Sequence, residues 1–428
     1  METLIQGGTL VDPSQGIHSR YDLLIRDGVV ADIASRIEPA GGEVIAAGGK
    51  IVIPGLVDLH THLRQPGFDY KETVETACRA AAAGGYTSIT ALPNTNPVMD
   101  ESWLVDHINF LAAQAGLVRV WPVGAVSKGS KGRELAEIGR MVKSGIRAVT
   151  DDGSGVADSR LLKNALLYCS QFDIPLFEHC EDEALAGNGQ VHEGLVAARL
   201  GLPGIPASAE TVMLARDLLL AQETGGRVHI MHLSTAQSVE MIRRAKVDGV
   251  RVTAEVTPHH LLLTEEMVDG FNPMAKMKPP LRTAADVQAL RIGLVDGTID
   301  AIATDHAPHS LAEKSGDFIS APFGIVGLET AFSLLYTHLV LTGVITLDGL
   351  IEKMSCKPAA ILGISHGSLA PGCAADLVLL DTSAEQKIDR LLFHSKGRNT
   401  PFNGWPVYGV PVLTMVAGRV VMKDGKIL

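Results

Sequence analysis

Between residues 53 and 305 the chain alternates a short apolar, β-branched run with a longer stretch of helical periodicity, eight times over, and this pattern confines it to a parallel α/β architecture. The runs are 55–59, 87–92, 118–123, 145–150, 174–178, 227–231, 250–256 and 299–304; the stretches between them include 71–83, 101–115, 161–171, 209–222 and 236–246. Parallel neighbours require right-handed crossovers, and eight such units predict a closed (β/α)8 TIM barrel. An open doubly wound sheet would carry a Gly-x-Gly-x-x-Gly turn after its first strand, and none follows here. Residues 53–365 are assigned to this barrel.

The flanks follow another rule. Residues 1–52 and 366–428 read as short alternating strands (3–5, 21–25, 29–34 and 43–46, then 376–380, 412–416 and 419–422) with turns such as Asp27-Gly28 and Asp424-Gly425. Neither end is large enough to bury a sheet face alone, so the two are expected to share one small β-sandwich beside the barrel.

Composition narrows the function. The net charge of −11 repels polyanions and anionic membrane surfaces, which argues against nucleic acid and membrane as partners. The 18 residues from 330 to 347 are too mixed to span a bilayer and read as a buried helix plus a turn. The start, Met1-Glu2-Thr3, lacks the basic and apolar regions of a signal peptide, and five cysteines without a Cys-x-x-Cys pair suit a reducing compartment; the cytoplasm is expected.

The strand ends carry the chemistry, because the carboxyl face of a barrel is its active face. The first run ends in His60-Thr61-His62, the fourth in Asp151-Asp152, the fifth in His179, the sixth in His232 and the eighth in Asp305. Alternation points His60 and His62 to the same side. A lone histidine at a strand end is usually a hydrogen-bonded polar residue, and one of Asp151 and Asp152 is expected to cap a turn. Five strand ends bearing imidazoles and carboxylates together point instead to zinc or a similar metal. Four histidines with two or more aspartates exceed one tetrahedral site, so two ions bridged by a carboxylate and a hydroxide are expected. His259 and His260, after the seventh run, are candidates for supporting this centre.

These residues lie in longer segments: Pro54-Gly55-Leu56-Val57-Asp58-Leu59-His60-Thr61-His62-Leu63-Arg64, Pro93-Asn94-Thr95, Thr150-Asp151-Asp152-Gly153, Glu178-His179-Cys180-Glu181, Thr257-Pro258-His259-His260, Ala303-Thr304-Asp305-His306-Ala307-Pro308-His309 and Ala321-Pro322-Phe323-Gly324. Over essentially the whole chain they resemble the metal-dependent amidohydrolase superfamily, and within it bacterial class I dihydroorotases.

The resemblance implies two zinc ions, one held by His60, His62 and Asp305 and the other by His179 and His232, bridged by Asp152 and hydroxide. Relatives that use a carboxylated lysine as the bridge would need a lysine at the end of the fourth strand, and none stands there. The resemblance also implies reversible hydrolysis of the cyclic amide of L-dihydroorotate to N-carbamoyl-L-aspartate, a step of pyrimidine synthesis. Arg64, Asn94 and His309 would hold the substrate carboxylate, with Phe323 and Gly324 beside it and Asp305 as the proton carrier.

Lys278 stands where relatives have asparagine, and either serves the substrate carboxylates or points to solvent. Residues 308–318 are a candidate cover for the site. A homo-oligomer and a complex with aspartate carbamoyltransferase belong to the same set of expectations. The rivals are another cyclic amidohydrolase, an allantoinase or a hydantoinase-like enzyme, and a non-catalytic homologue that serves as a partner of aspartate carbamoyltransferase. Arg64, Asn94 and the missing lysine argue against the first, and the complete set of ligand positions against the second.

Overall fold

The computed structural model of the chain describes residues 2–39 and 41–428. Three parallel strands, Leu56–Asp58, Tyr86–Ala91 and Arg119–Pro122, form one arc of a barrel, and four more, Leu176–Glu178, Val228–Ile230, Val252–Val256 and Ala301–Ile302, form the other. Val149 joins the arcs through parallel bridges to Gly124 and Leu176, and a bridge between Thr61 and His306 closes the ring. Asp58 fastens that closure, accepting from the backbone of His60 and Thr304 and from the Thr304 hydroxyl.

The fourth run is thus reduced to a bridge rather than a strand. Its hydrogen bonds run both ways, from Arg147 N to Pro122 O (3.3 Å) and Val149 N to Pro175 O (3.3 Å), and back from Gly124 N to Ala148 O (3.1 Å) and Phe177 N to Val149 O (2.8 Å), so it still fills the fourth place in the ring.

The helices fall where periodicity places them, as Val74–Ala83, Ser102–Ala115, Ser159–Ser170, Ala207–Thr224 and Ala236–Val247. The first starts three residues later than expected because Thr73 and Thr76 form a capping box. The stretch from 330 is helical and buried, Ala331–Leu335 running on into Tyr336–Val340 before a turn. Among the described residues no helix is long and apolar enough to cross a membrane.

Both chain ends build one nine-stranded sheet. Its order is Lys426–Ile427, Arg419–Lys423, Val410–Val416, Leu377–Asp381, Ile51–Pro54, Glu2–Asp12, Ile17–Arg26 and Val29–Ala34, with Glu43–Ala46 also pairing with Glu2–Asp12. The far edge returns: Val30 exchanges backbone hydrogen bonds with Gly372 and Cys373, just ahead of Leu377–Asp381. The sheet folds over a core of Ile5, Leu10, Leu23, Leu377, Leu413 and Met415, which makes it a sandwich with few free edges. Ile51–Pro54 leads directly into the first barrel strand.

One part of the C-terminal segment behaves differently. Between the paired strands Gln386–Lys387 and Pro406–Val407, the chain crosses to the active face of the barrel, where Ser395 meets Glu72 and Asn399 meets Ala307.

Candidate metal centre and substrate cavity

Six side chains from the strand ends converge. His60 Nε2 lies 3.3 Å from Asp305 Oδ1 and 3.7 Å from Asp152 Oδ1, and His62 Nε2 lies 3.0 Å from Asp305 Oδ1 and 3.6 Å from Asp152 Oδ2. On the other side His179 Nδ1 and His232 Nε2 are 2.8 Å apart and lie 3.5 and 3.9 Å from Asp152 Oδ1. Bonds of 2.0–2.1 Å in a tetrahedral zinc site separate neighbouring ligand atoms by about 3.4 Å, the middle of this range.

His60 Nε2 is buried without a hydrogen-bond partner, which is costly unless something else engages it. The donor set therefore fits divalent cations. Asp152 faces both histidine pairs and belongs to two of the three ligand clusters. Asp151 does not compete for that place: its carboxylate accepts from the backbone of Val126 and Ser127 and from the Ser127 hydroxyl, tying down the loop after the third strand instead of capping a helix.

The charges are arranged to hold these groups as ligands. Burial favours a neutral Asp152, but His179, His60 and His62 overcome it and hold the carboxyl well below its usual range; Asp305 is lowered in the same way, chiefly by His60 and His62. Against burial, Asp305 and Glu255 raise His60 to about 10, and Asp152 and Glu181 raise His179 to about 9. Without metal both rings therefore carry protons at neutral pH, and cations must displace them. Loading at pH 7 is expected to release about two protons per chain from these rings, and affinity to rise with pH until about 9 to 10. Calorimetry in buffers of different ionisation enthalpy checks this; loading without proton release would contradict it.

Three of the nine non-glycine residues with positive φ among the described residues belong to this site. Arg64, His232 and Asp305 have φ of 61°, 31° and 46°, in the left-handed region that side chains seldom adopt. Each costs roughly 1–3 kcal/mol and persists only where its surroundings fix it, as functional sites commonly do.

Behind His60 stands a pair that sequence reading left without a role. Glu255 accepts from His60 Nδ1 at 2.8 Å and from His229 Nε2 at 3.1 Å, and His229 Nδ1 lies 2.8 Å from the Thr253 hydroxyl. The carboxylate keeps the His60 proton on Nδ1 and leaves Nε2 free as a donor to metal. A glutamate and a histidine inside apolar strands were the available signal. Glu255→Gln removes the negative charge that supports both imidazoles and leaves one of them facing an N–H, and is expected to lower metal affinity about 10- to 100-fold. Competition with a chelator measures it, and unchanged affinity would contradict it. Of the two histidines after the seventh strand, His260 is spent on Thr257 and Pro279, while His259 is buried with its Nε2 unpartnered.

A cavity of about 370 Å³ opens over the cluster, lined by His62, Asp152, His179, His232 and Asp305 and by every expected substrate contact: Arg64, Asn94, Lys278, His309, Phe323 and Gly324. Arg64 is half-buried, its one hydrogen bond among the described residues is from Nε to Pro308 O (3.3 Å), and it lines the cavity without a carboxylate partner. Asn94 also braces the ligands: its Oδ1 is 2.9 Å from His62 Nδ1 and its Nδ2 donates to Asp152 at 3.4 Å. Both His309 nitrogens are engaged, Nε2 with Phe323 O and Nδ1 with Lys71 Nζ, and burial with Arg64 and Lys71 nearby lowers the ring to about 2, which keeps it neutral.

Lys278 lines the cavity, half-buried and ion-paired. Its ammonium is 2.5 Å from Glu181, whose other oxygen lies 3.9 Å from His179 Nε2. Residues 308–318 are anchored: Lys314 donates to Pro273 O and Lys276 O, while Lys276 donates to the carbonyls of Phe318, Ile319 and Ala321.

The family described as Dihydro-orotase-like matches residues 49–238. The chain is 51% identical to a dihydroorotase of Pelotomaculum thermopropionicum over 424 residues, covering 99% of each chain. It is 46% identical to a dihydroorotase of Caldanaerobacter subterraneus subsp. tengcongensis, covering 100% of this chain and 98% of that one. The chain belongs to the dihydroorotase family. That family lies in the amidohydrolase superfamily, and the fold agrees: an L-hydantoinase from Arthrobacter aurescens superposes with a TM-score of 0.90 at 29% identity, covering 100% of this chain and 97% of that one. The likeness spans barrel and sandwich together.

Proposed function

We propose that the chain works as a dihydroorotase, hydrolysing the cyclic amide of L-dihydroorotate reversibly to N-carbamoyl-L-aspartate in pyrimidine synthesis, with two zinc ions as its cofactor. The supporting observation is the Arg64 guanidinium, without a carboxylate partner among the described residues, in the same cavity of about 370 Å³ as five of the six ligand side chains. A ring amide that also bears a carboxylate matches that pairing of cation and cluster.

His60, His62 and Asp305 would hold one ion and His179 and His232 the other, with Asp152 between them. Such a pair, when bound, supplies a water ionised near neutral pH and a Lewis acid for the carbonyl oxygen. Arg64 binds the substrate carboxylate through a planar fork that fixes position and orientation together. Asp305, held ionised, takes the proton from the attacking water and delivers it to the departing ring nitrogen. Asn94 keeps His62 and Asp152 aligned, and His309, Phe323 and Gly324 shape the wall that packs against the ring. Lys278 contributes through Glu181.

Comparing turnover of L-dihydroorotate, hydantoin and allantoin tests the assignment. Dihydroorotate is expected to be preferred by at least about 100-fold in kcat/KM, because a site with a half-buried cation awaiting a carboxylate discriminates strongly against rings without one. Equal or better turnover of hydantoin would favour the hydantoinase-like reading, which the structural likeness keeps in view.

The same reading covers the chain's setting. The five cysteines are free, in keeping with the cytoplasm, and the exposed helix faces leave surface for a homo-oligomer and for aspartate carbamoyltransferase. Residues 1–52 and 366–428 would serve mainly as the sandwich and 53–365 as the barrel, with the sheet strand Ile51–Pro54 spanning the boundary and the stretch between Lys387 and Pro406 reaching the barrel's active face.

A further inference from the structure

We propose that Asn399, from the C-terminal segment, is a positioning residue for substrate binding: it clamps the cavity wall on which Arg64 rests. The inference depends on the cavity being the substrate site. Asn399 is buried, and its amide serves three backbone groups of that wall. Nδ2 donates to Ala307 O (2.9 Å) and Gly324 O (3.0 Å), and Oδ1 accepts from His309 N (3.0 Å). Its own carbonyl accepts from Val326 N (3.0 Å). Ala307, His309 and Gly324 all line the cavity.

The arrangement fixes the amide's orientation, since a flipped amide would set its oxygen against two carbonyls and its N–H2 against an N–H. It also fixes what lies between. Pro308, flanked by two of the clamped residues, provides the carbonyl that accepts the one hydrogen bond of Arg64. Packing leaves little slack: Gly324 has φ +142°, and a Cβ there would come within 2.9 Å of the His309 ring. Loss of the clamp therefore displaces the anchor of Arg64 while leaving in place the metal ligands, none of which hydrogen-bonds to Asn399.

The test uses the full-length, metal-loaded enzyme. Asn399→Asp keeps the shape but turns a donor into an acceptor facing two carbonyls, and Asn399→Leu keeps roughly the volume with no polar atoms. Both are expected to raise KM for dihydroorotate about tenfold, equivalent to about 1.4 kcal/mol of binding, with kcat within about threefold and metal content unchanged. A folded, loaded variant with KM within about twofold of the parent would overturn the proposal. So would failure of both variants to fold or to hold metal, because Asn399 would then support the fold or the centre. Arg64→Met measured alongside separates the two claims. If it raises KM and the Asn399 variants do not, the clamp alone is wrong; if neither does, the substrate reading of the cavity is wrong.

Discussion

Asp305→Asn is expected to lower kcat for dihydroorotate by about 10³- to 10⁴-fold, the upper part of what a positioned proton carrier contributes. The carboxylate is 3.0 Å from His62 and 3.3 Å from His60, and their charges hold it ionised despite burial. Asparagine keeps the shape and an oxygen but cannot take a proton in this range. It is also the gentle substitution for the backbone, since Asp305 has φ 46°, a conformation that aspartate and asparagine tolerate better than other side chains. Alanine would add strain to the chemical loss. The measurement is kcat together with metal content on the same sample; full metal with turnover within about tenfold of the parent would remove Asp305 from the proton path.

Arg64→Met is expected to lower kcat/KM for dihydroorotate by about 10²- to 10³-fold, the loss of two charge-assisted hydrogen bonds to one carboxylate. Metal content should not change, because the guanidinium touches Pro308 O and none of the six ligands. Arg64→Lys should recover little, since a single ammonium cannot reproduce the fork. A KM within about threefold of the parent would show that the carboxylate is held elsewhere.

Much of this was legible because two periodicities carry it. Repetition of run and helix specified the barrel, and the residue following each run specified the ligands: side chains as far apart in sequence as His62 and Asp305 end 3.0 Å apart because strand ends share one rim. The fourth run fills its place through the parallel bridges of Val149 to Gly124 and Leu176 and is shorter than its apolar stretch, an extent that the sequence pattern alone does not specify. Asp151 and Asp152 look alike in sequence; they differ in that the loop N–H groups of Val126 and Ser127 reach the first.

The ion pair of Lys278 with Glu181 was not legible, since Glu181 lies on another strand's loop and no local pattern joins the two. Asn399 was invisible for the same reason. It grips residues 75 to 92 positions away, from a segment whose neighbours in sequence are sheet-forming. Long-range polar contacts of this kind have no period to betray them.

The most direct test of the account is metal analysis and dihydroorotate hydrolysis on one purified sample, before and after chelation. The account predicts about two divalent cations per chain, as carboxylate-bridged pairs require, activity lost on their removal, and both restored together by zinc. A folded protein that hydrolyses dihydroorotate without metal, or that takes up two ions and stays inert, would contradict it.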